Sequence, residues 1–334
     1  MVFVLVALAA WLVPSAVGAL DCTPDPALTE AATELLVDGG HDDPARIDAV
    51  VRRVGSNATS AHALATRPGD DEAAARWLER LAQRNDAPLV CGEAESESIR
   101  ILVAASLGGS LRLVEGSPPR VAVTVAPGFR DPHLVFRGDH GDFVRVPVDV
   151  DVLTEGAPIP DGLEEPIHVQ LVAEGRSGPK PIASLRIGGR AEAPHERTRR
   201  PSPGSSFDLR GAVDALRARH GAGALRPNRV MSAEAEAHAR RVCAAGRVGH
   251  RLASGEDPEQ RLRRRGLSAR VVGETVGRAD TEAEAVVALE DSPSHLMTLV
   301  DRRFTDGGYG VAEDAEGHRC VVVLLAAWPR VVAR

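Results

Sequence analysis

Ser292-Pro293-Ser294-His295 reads as the start of a short helix that carries a histidine, and the residues around it decide the fold. Just upstream, Thr281 with Glu284 forms a capping box that opens an alanine- and valine-rich helix. Downstream, the chain closes with Tyr309-Gly310-Val311-Ala312-Glu313, a turn from Asp314 to Gly317, and a strand from Arg319 to Trp328. Further back, Phe207 to His220 places apolar residues at Phe207, Leu209, Val213 and Leu216, and Gly221 supplies the stop. Ser232 is expected to cap a second helix running toward Gly246, with Glu234 and Glu236 in its first turn. Asp257, Pro258 and Gln260 start a third helix that ends at Gly266. Residues 207–330 therefore read as one α/β domain.

The whole chain has 334 residues, 43% hydrophobic and 26% charged, a length that favours two or three domains. Its formal net charge is -7, and Lys180 is its only lysine against 40 basic residues in all. Schiff-base and P-loop chemistry need a positioned lysine, and Lys180 sits between two prolines with no glycine-rich loop before it. Single-stranded nucleic acids are held on aromatic platforms along a basic groove. An acidic chain with 3% aromatic residues offers neither, so nucleic acid is not an expected partner.

Residues 1–19 read as a secretory signal peptide. Val2 to Val13 is an apolar run broken by Pro14, and Val17-Gly18-Ala19 offers a cleavage site before Leu20. The run lacks an initial Lys or Arg, which leaves an upstream start open. An uncleaved N-terminal anchor is the alternative, since the stretch approaches spanning length. No other segment reads as transmembrane, and a secreted or extracytoplasmic location (periplasm, cell envelope or extracellular) is expected.

Residues 20–106 are expected to be mainly helical, from patterns such as Pro26 to Ala32 and Glu72 to Leu78, and to end in a buried strand at Ile99 to Ala105. Residues 107–190 alternate apolar and polar in short runs at Leu111, Val121, Phe143 and His168, the pattern of a small antiparallel, immunoglobulin-like β-sandwich. The loop Gly138-Asp139-His140-Gly141-Asp142 imitates a metal site, but turns favour the same residues. Residues 191–206 are proline- and arginine-rich and read as a linker. Gly92-Glu93-Ala94-Glu95 and Leu102-Val103-Ala104-Ala105 echo Gly310-Val311-Ala312-Glu313 and Leu324-Leu325-Ala326-Ala327. The first region thus reads as a diverged copy of the last, although alanine-rich helices before a strand also match by chance.

Four cysteines, Cys22, Cys91, Cys243 and Cys320, form no CxxC pair, which argues against a zinc finger or dithiol redox motif. Three disulfide connectivities are open, and four free thiols are the alternative. Cys22–Cys91 with Cys243–Cys320 is favoured because each pair stays within one region.

The order of elements in 207–330 resembles the bacterial branch of the CAP superfamily of cysteine-rich secretory, antigen 5 and pathogenesis-related proteins. Leu225-Arg226-Pro227-Asn228, Gly249-His250, Gly273-Glu274-Thr275-Val276, Ser292-Pro293-Ser294-His295, Phe304 and Gly308-Tyr309-Gly310-Val311 carry the resemblance together. It implies an α-β-α sandwich whose cleft holds two histidines and acidic residues. By motif these are His250, Glu274 and His295, with Glu290 or Asp291 as the second acid. The sequence departs from the pattern at Thr275 for Asn, Leu289 for Trp, Ser294 for Gly, and Leu296 and Thr298 for Arg and Asn. An amide and an aromatic that normally brace the cleft are therefore absent.

Two imidazoles and a carboxylate suit Zn²⁺ or another divalent metal with one open position, so His250, His295 and Glu274 are the expected ligands. The alternative is a hydrogen-bond network that pins three loops without metal. His220, His238 and His318 are expected to be structural, and Arg261-Leu262-Arg263-Arg264-Arg265 a solvated helix face. The leading functional expectation is a non-catalytic, envelope-associated binding module whose cleft takes a metal, a small molecule, a lipid or another cell-envelope ligand. The alternatives are a metal-dependent hydrolase with Glu274 or Glu290 as base, and an inert scaffold. No catalytic residue is assigned, since the chain has no GxSxG elbow.

Overall fold

Ile101 to Ala105 is an unbroken run of apolar residues, each at most 1% exposed. A strand buried on both faces must be covered on both sides, and that requirement organises the first unit. The computed structural model describes residues 22–188, 207–252 and 255–329. The expected signal peptide and the linker at 191–206 lie outside these described residues.

The first unit runs β1 (Thr23–Pro24), α1 (Pro26–Asp38), α2 (Pro44–Arg53), β2 (Ala61–Thr66), α3 (Asp71–Arg84), β3 (Leu89–Glu95) and β4 (Arg100–Ser106). Its sheet has the order β1-β3-β4-β2, with β1 parallel to β3 and the other pairs antiparallel. Ile101, Val103 and Ala105 face α1 and α2, while Leu102 and Ala104 pack on α3. The region expected to be mainly helical thus holds a four-stranded sheet as well. Alanine-rich β2, Ala61-His62-Ala63-Leu64-Ala65-Thr66, has weak strand propensity and forms a strand because β4 pairs with it.

The middle unit contains β5 (Gly109–Val114), β6 (Arg120–Val125), β7 (Arg130–Arg137), β8 (Phe143–Pro147), α4 (Val150–Glu155), β9 (Ala157–Pro158), β10 (Ile167–Gly175) and β11 (Gly178–Ile187). Two antiparallel sheets, β11-β10-β7-β8 and β5-β6-β9, share one core. Leu111, Val121 and Val123 meet Leu134, Phe136, Val169 and Leu171 there. The Gly138 to Asp142 loop is a turn closed by backbone bonds from Gly138 to Asp142 and from Gly141 to Gly138. The one-turn helix α4, capped by Asp149, interrupts the all-β pattern.

The last unit comprises α5 (Leu209–Arg219), β12 (Arg226–Pro227), α6 (Arg229–Ala245), α7 (Pro258–Arg264), β13 (Val271–Ala279), α8 (Glu282–Asp291), α9 (Pro293–Leu299), β14 (Asp306–Glu313) and β15 (Arg319–Ala327). Val321, Val323 and Leu325 of β15 face α5, α8 and α9, and Cys320, Val322 and Leu324 face α6 and α7. This is the expected α-β-α sandwich. Asn228, not Ser232, caps α6, accepting from Val230 and Met231. Ser232 instead accepts the backbone N–H of Tyr309. Among the described residues no helix is long and apolar enough to cross a membrane.

The sheet order β12-β14-β15-β13 repeats β1-β3-β4-β2, again with only the first pair parallel. In both sheets a two-residue strand leads directly into a capped helix, and the strand beside it approaches that helix closely. A Cβ on Gly92 would lie 2.0 Å from the backbone nitrogen of Thr29 in α1, and one on Gly308 would lie 2.3 Å from a backbone carbon of Met231 in α6. Only glycine allows these contacts. The disulfides Cys22–Cys91 and Cys243–Cys320 form as favoured, with Cα separations of 5.9 and 5.8 Å.

Two outcomes follow from this packing. Gly308→Ala should lower stability by about 1–3 kcal/mol through overpacking, whereas Gly223→Ala, with nothing near its Cβ, should change it little. Equal urea midpoints for the two variants would contradict the close-approach argument. The second outcome concerns His168 on β10, whose Nε2 lies 2.7 Å from Ser184 Oγ. Burial, helped by Arg186, Arg137 and Arg52, lowers its pKa from 6.5 to about 3. The unfolded chain therefore takes up a proton that the folded chain refuses, and stability falls as pH drops from 6.5 toward 3. His168→Gln should flatten that part of the profile relative to wild type, measured by chemical unfolding at stepped pH.

Candidate functional site

The site forms at β13, the edge strand of the last sheet, around one buried carboxylate. Glu274 lies on β13 with its side chain fully buried. It pairs in register with Leu324, so it points toward the α6 and α7 layer. Gly246 stops α6 in a left-handed conformation and turns the chain into the segment that presents His250. His250 Nδ1 donates to Glu274 Oε1 at 2.9 Å, while Arg261 of α7 pairs with Glu274 Oε2. His238 of α6 lies 3.7 Å from Oε1 through Nε2, which also donates to the Gly249 carbonyl at 2.9 Å.

Burial works against ionisation of Glu274. The hydrogen bond from His250 and the charges of His250, Arg261 and His238 outweigh it and hold the carboxyl below its usual range. Arg261, 1% exposed, also reaches the carbonyls of His250 at 2.6 Å and Glu256 at 3.1 Å. Its Nε lies 3.4 Å from Glu234, another fully buried carboxylate, which Arg241 and Arg265 hold at 2.6 and 2.9 Å. The expectation of a solvated basic helix face thus fails for Arg261. Two buried carboxylates recruit it inward, while Arg263 stays 63% exposed.

His295 projects from the first turn of α9. Its Nδ1 lies 2.9 Å from Ser292 Oγ. Burial, and then the nearby His250, lower its pKa from 6.5 to about 3, so the ring is neutral. The structure thus brings His250, Glu274 and His295 into one neighbourhood but not into one ligand set. Among the described residues, no carboxylate gathers with both histidines so that three ligand atoms lie within 4.8 Å. Both oxygens of Glu274 are taken, so it stands behind His250 and does not fit the ligand role expected of it. Glu290 is drawn away from the site: Arg219 Nη2 holds its two oxygens at 2.8 and 2.9 Å. Asp314, Glu316 and His318 do gather elsewhere, but Arg278 already occupies Asp314 at 2.6 and 2.8 Å.

The CAP family model, described as the cysteine-rich secretory protein family, matches residues 210–325. This region is a CAP domain. The middle and first units lie outside the match. No curated protein matches the chain. An outer surface protein from Borrelia burgdorferi is similar in structure at a TM-score of 0.34 and 21% identity, covering 36% of this chain and 90% of its own. An extracellular protein containing an SCP domain from Bacillus anthracis str. Ames scores 0.33 at 12% identity, over 66% of this chain and 86% of that one. A cysteine-rich secretory protein from Staphylococcus aureus subsp. aureus Mu50 scores 0.29 at 13% identity, over 66% and 83%.

Sequence reasoning missed His238, Arg261 and Glu234 of the CAP domain network. His238 and Glu234 lie four apart on α6, a spacing that puts both on one face. An acid and a histidine on the inward face of an alanine-rich helix were the available signal. Thr275, where an Asn was expected, is fully buried with no hydrogen-bond partner for its hydroxyl among the described residues. Leu289, in place of a Trp, packs into the core beside α5.

Removing the buried guanidinium would leave two buried carboxylates short of a partner. Arg261→Met should therefore cost about 3–5 kcal/mol, against at most about 0.5 kcal/mol for Arg263→Ala. Urea unfolding of both variants checks the difference; similar losses would contradict it.

Proposed function

We propose that the chain is an extracytoplasmic binding protein whose CAP domain presents the Nε2 atoms of His250 and His295 to a divalent metal or a small ligand. One observation carries this reading: each imidazole has its Nδ1 engaged from behind, by Glu274 for His250 and by Ser292 for His295. A carboxylate behind a metal-binding histidine fixes the ring and raises its basicity. Neutral imidazole nitrogens suit Zn²⁺, which would supply Lewis acidity and leave the remaining positions to water or ligand. The donor set fits two histidine ligands with Glu274 in support, and not Glu274 as a third ligand.

Binding is favoured over metal-dependent hydrolysis because the carboxylates expected to act as base, Glu274 and Glu290, are both held by arginines. The two disulfides support an oxidising, extracytoplasmic location. The first unit is read as a diverged copy of the CAP fold, supported by its strand order. The middle unit is read as an immunoglobulin-like sandwich serving as spacer or adhesion module.

Calorimetric titration with Zn²⁺ tests the site. Wild type should bind, His250→Ala/His295→Ala should not, and Glu274→Gln should bind about 10- to 100-fold more weakly. Absent binding in wild type would leave the scaffold reading. Peptidase or esterase turnover that disappears in the double variant would replace the binding reading with the hydrolase.

A further inference from the structure

Strand β10 of the middle unit lies along the site edge of the CAP domain and reaches the segments of both histidines. Just beyond its end, the Ser177 carbonyl accepts the backbone N–H of His250 at 2.8 Å and of Arg251 at 2.9 Å. In its centre, Gln170 is 4% exposed, and its Oε1 accepts from Ser294 N at 3.1 Å, Ser294 Oγ at 2.9 Å and Ser292 Oγ at 3.0 Å.

The direction of these bonds follows from elementary donor and acceptor chemistry. A backbone N–H can only donate, so the Gln170 atom facing Ser294 is its amide oxygen. That oxygen can only accept, so in the 3.0 Å contact the Ser292 hydroxyl donates to Gln170, in preference to Ser294 Oγ at 3.4 Å, and its proton is directed there. Ser292 Oγ then has only lone pairs to offer His295 Nδ1, 2.9 Å away. The imidazole must donate, Nδ1 carries the hydrogen, and Nε2 keeps its lone pair. In the neutral imidazole this arrangement is the Nδ1–H tautomer.

We propose that Gln170, a residue of the middle unit, is a positioning residue for the CAP site: through Ser292 it sets His295 in the Nδ1–H form and so leaves Nε2 available to a ligand. Its use in binding rests on the reading of Nε2 given above, but the tautomer is a property of the protein alone. The domain boundary is thereby part of the site, since the acceptor that fixes His295 belongs to another unit.

The full chain, labelled with ¹⁵N at histidine and free of metal at pH 7, is examined by long-range ¹H–¹⁵N correlation, with His295→Asn used to assign the ring. Wild type should show His295 as Nδ1–H. Gln170→Leu should move it toward Nε2–H, whereas Gln170→Glu, which keeps an oxygen acceptor, should retain the wild-type pattern. Ser292→Ala cuts the relay and leaves the Gln170 contact to Ser294 in place, so it should repeat the Gln170→Leu change in a domain interface that is intact. An Nε2–H ring in wild type, or an unchanged ring in both Gln170→Leu and Ser292→Ala, overturns the proposal. Titration of the same samples with Zn²⁺ alone separates the two readings. A wild-type Nδ1–H ring that binds no Zn²⁺ sinks the metal site but supports the relay, and about a 10- to 100-fold weaker Zn²⁺ affinity in Gln170→Leu supports both.

Discussion

One carboxylate removed from water governs the geometry of the last domain. An ionised Glu274 with no exposed side-chain surface is tolerable only if every lone pair finds a donor and a positive charge stands close by. Arg261 supplies the charge and His250 a donor, while His238, whose Nε2 donates to the Gly249 carbonyl, lies 3.7 Å from the same oxygen as His250. Those demands draw α7 onto β13 and orient the His250 ring, while His238 separately pins the segment after α6 through the Gly249 carbonyl. The position of the first histidine is therefore a by-product of keeping Glu274 ionised.

The second histidine is held by different means. His295 rests on a serine hydroxyl whose proton is claimed by an amide from another unit. One imidazole is thus fixed from inside its own domain, the other from across a boundary. The same strand that provides Gln170 leads into the carbonyl that ties down His250. The middle unit is consequently not a passive spacer in geometric terms, because it contacts both halves of the site.

What the sequence made legible was largely local. Asp257 with Gln260 is a true capping box, Thr281 caps α8, and Ser292-Pro293 opens α9, because these signals act within one turn of chain. The alternating runs of the middle region became β5, β6, β8 and β10 for the same reason. Asn228 was as good a cap signal as Ser232, and it lies directly after Pro227, so the true start of α6 was readable in principle. Arg261 was not, since four neighbouring arginines look alike until a buried acid selects one. Glu290 misled through chain proximity: it lies two residues before Ser292, but helix geometry turns it toward Arg219 on α5. Gln170 could not be found by any local pattern, because its partners lie more than a hundred residues away.

The two sheets of like order differ at one telling position. With Gly92 of β3 set against Gly308 of β14, Glu274 paired with Leu324 corresponds to Ala63 paired with Val103, one residue away from the sequence echo that set Leu102 against Leu324. The same architecture stands there on a methyl group where the last domain carries a buried acid. The first sheet thus has the same strand order with no acid at that position, its own buried charge being Arg100, held by Glu93 and Asp71. The charged network of the last domain is therefore no requirement of this strand order.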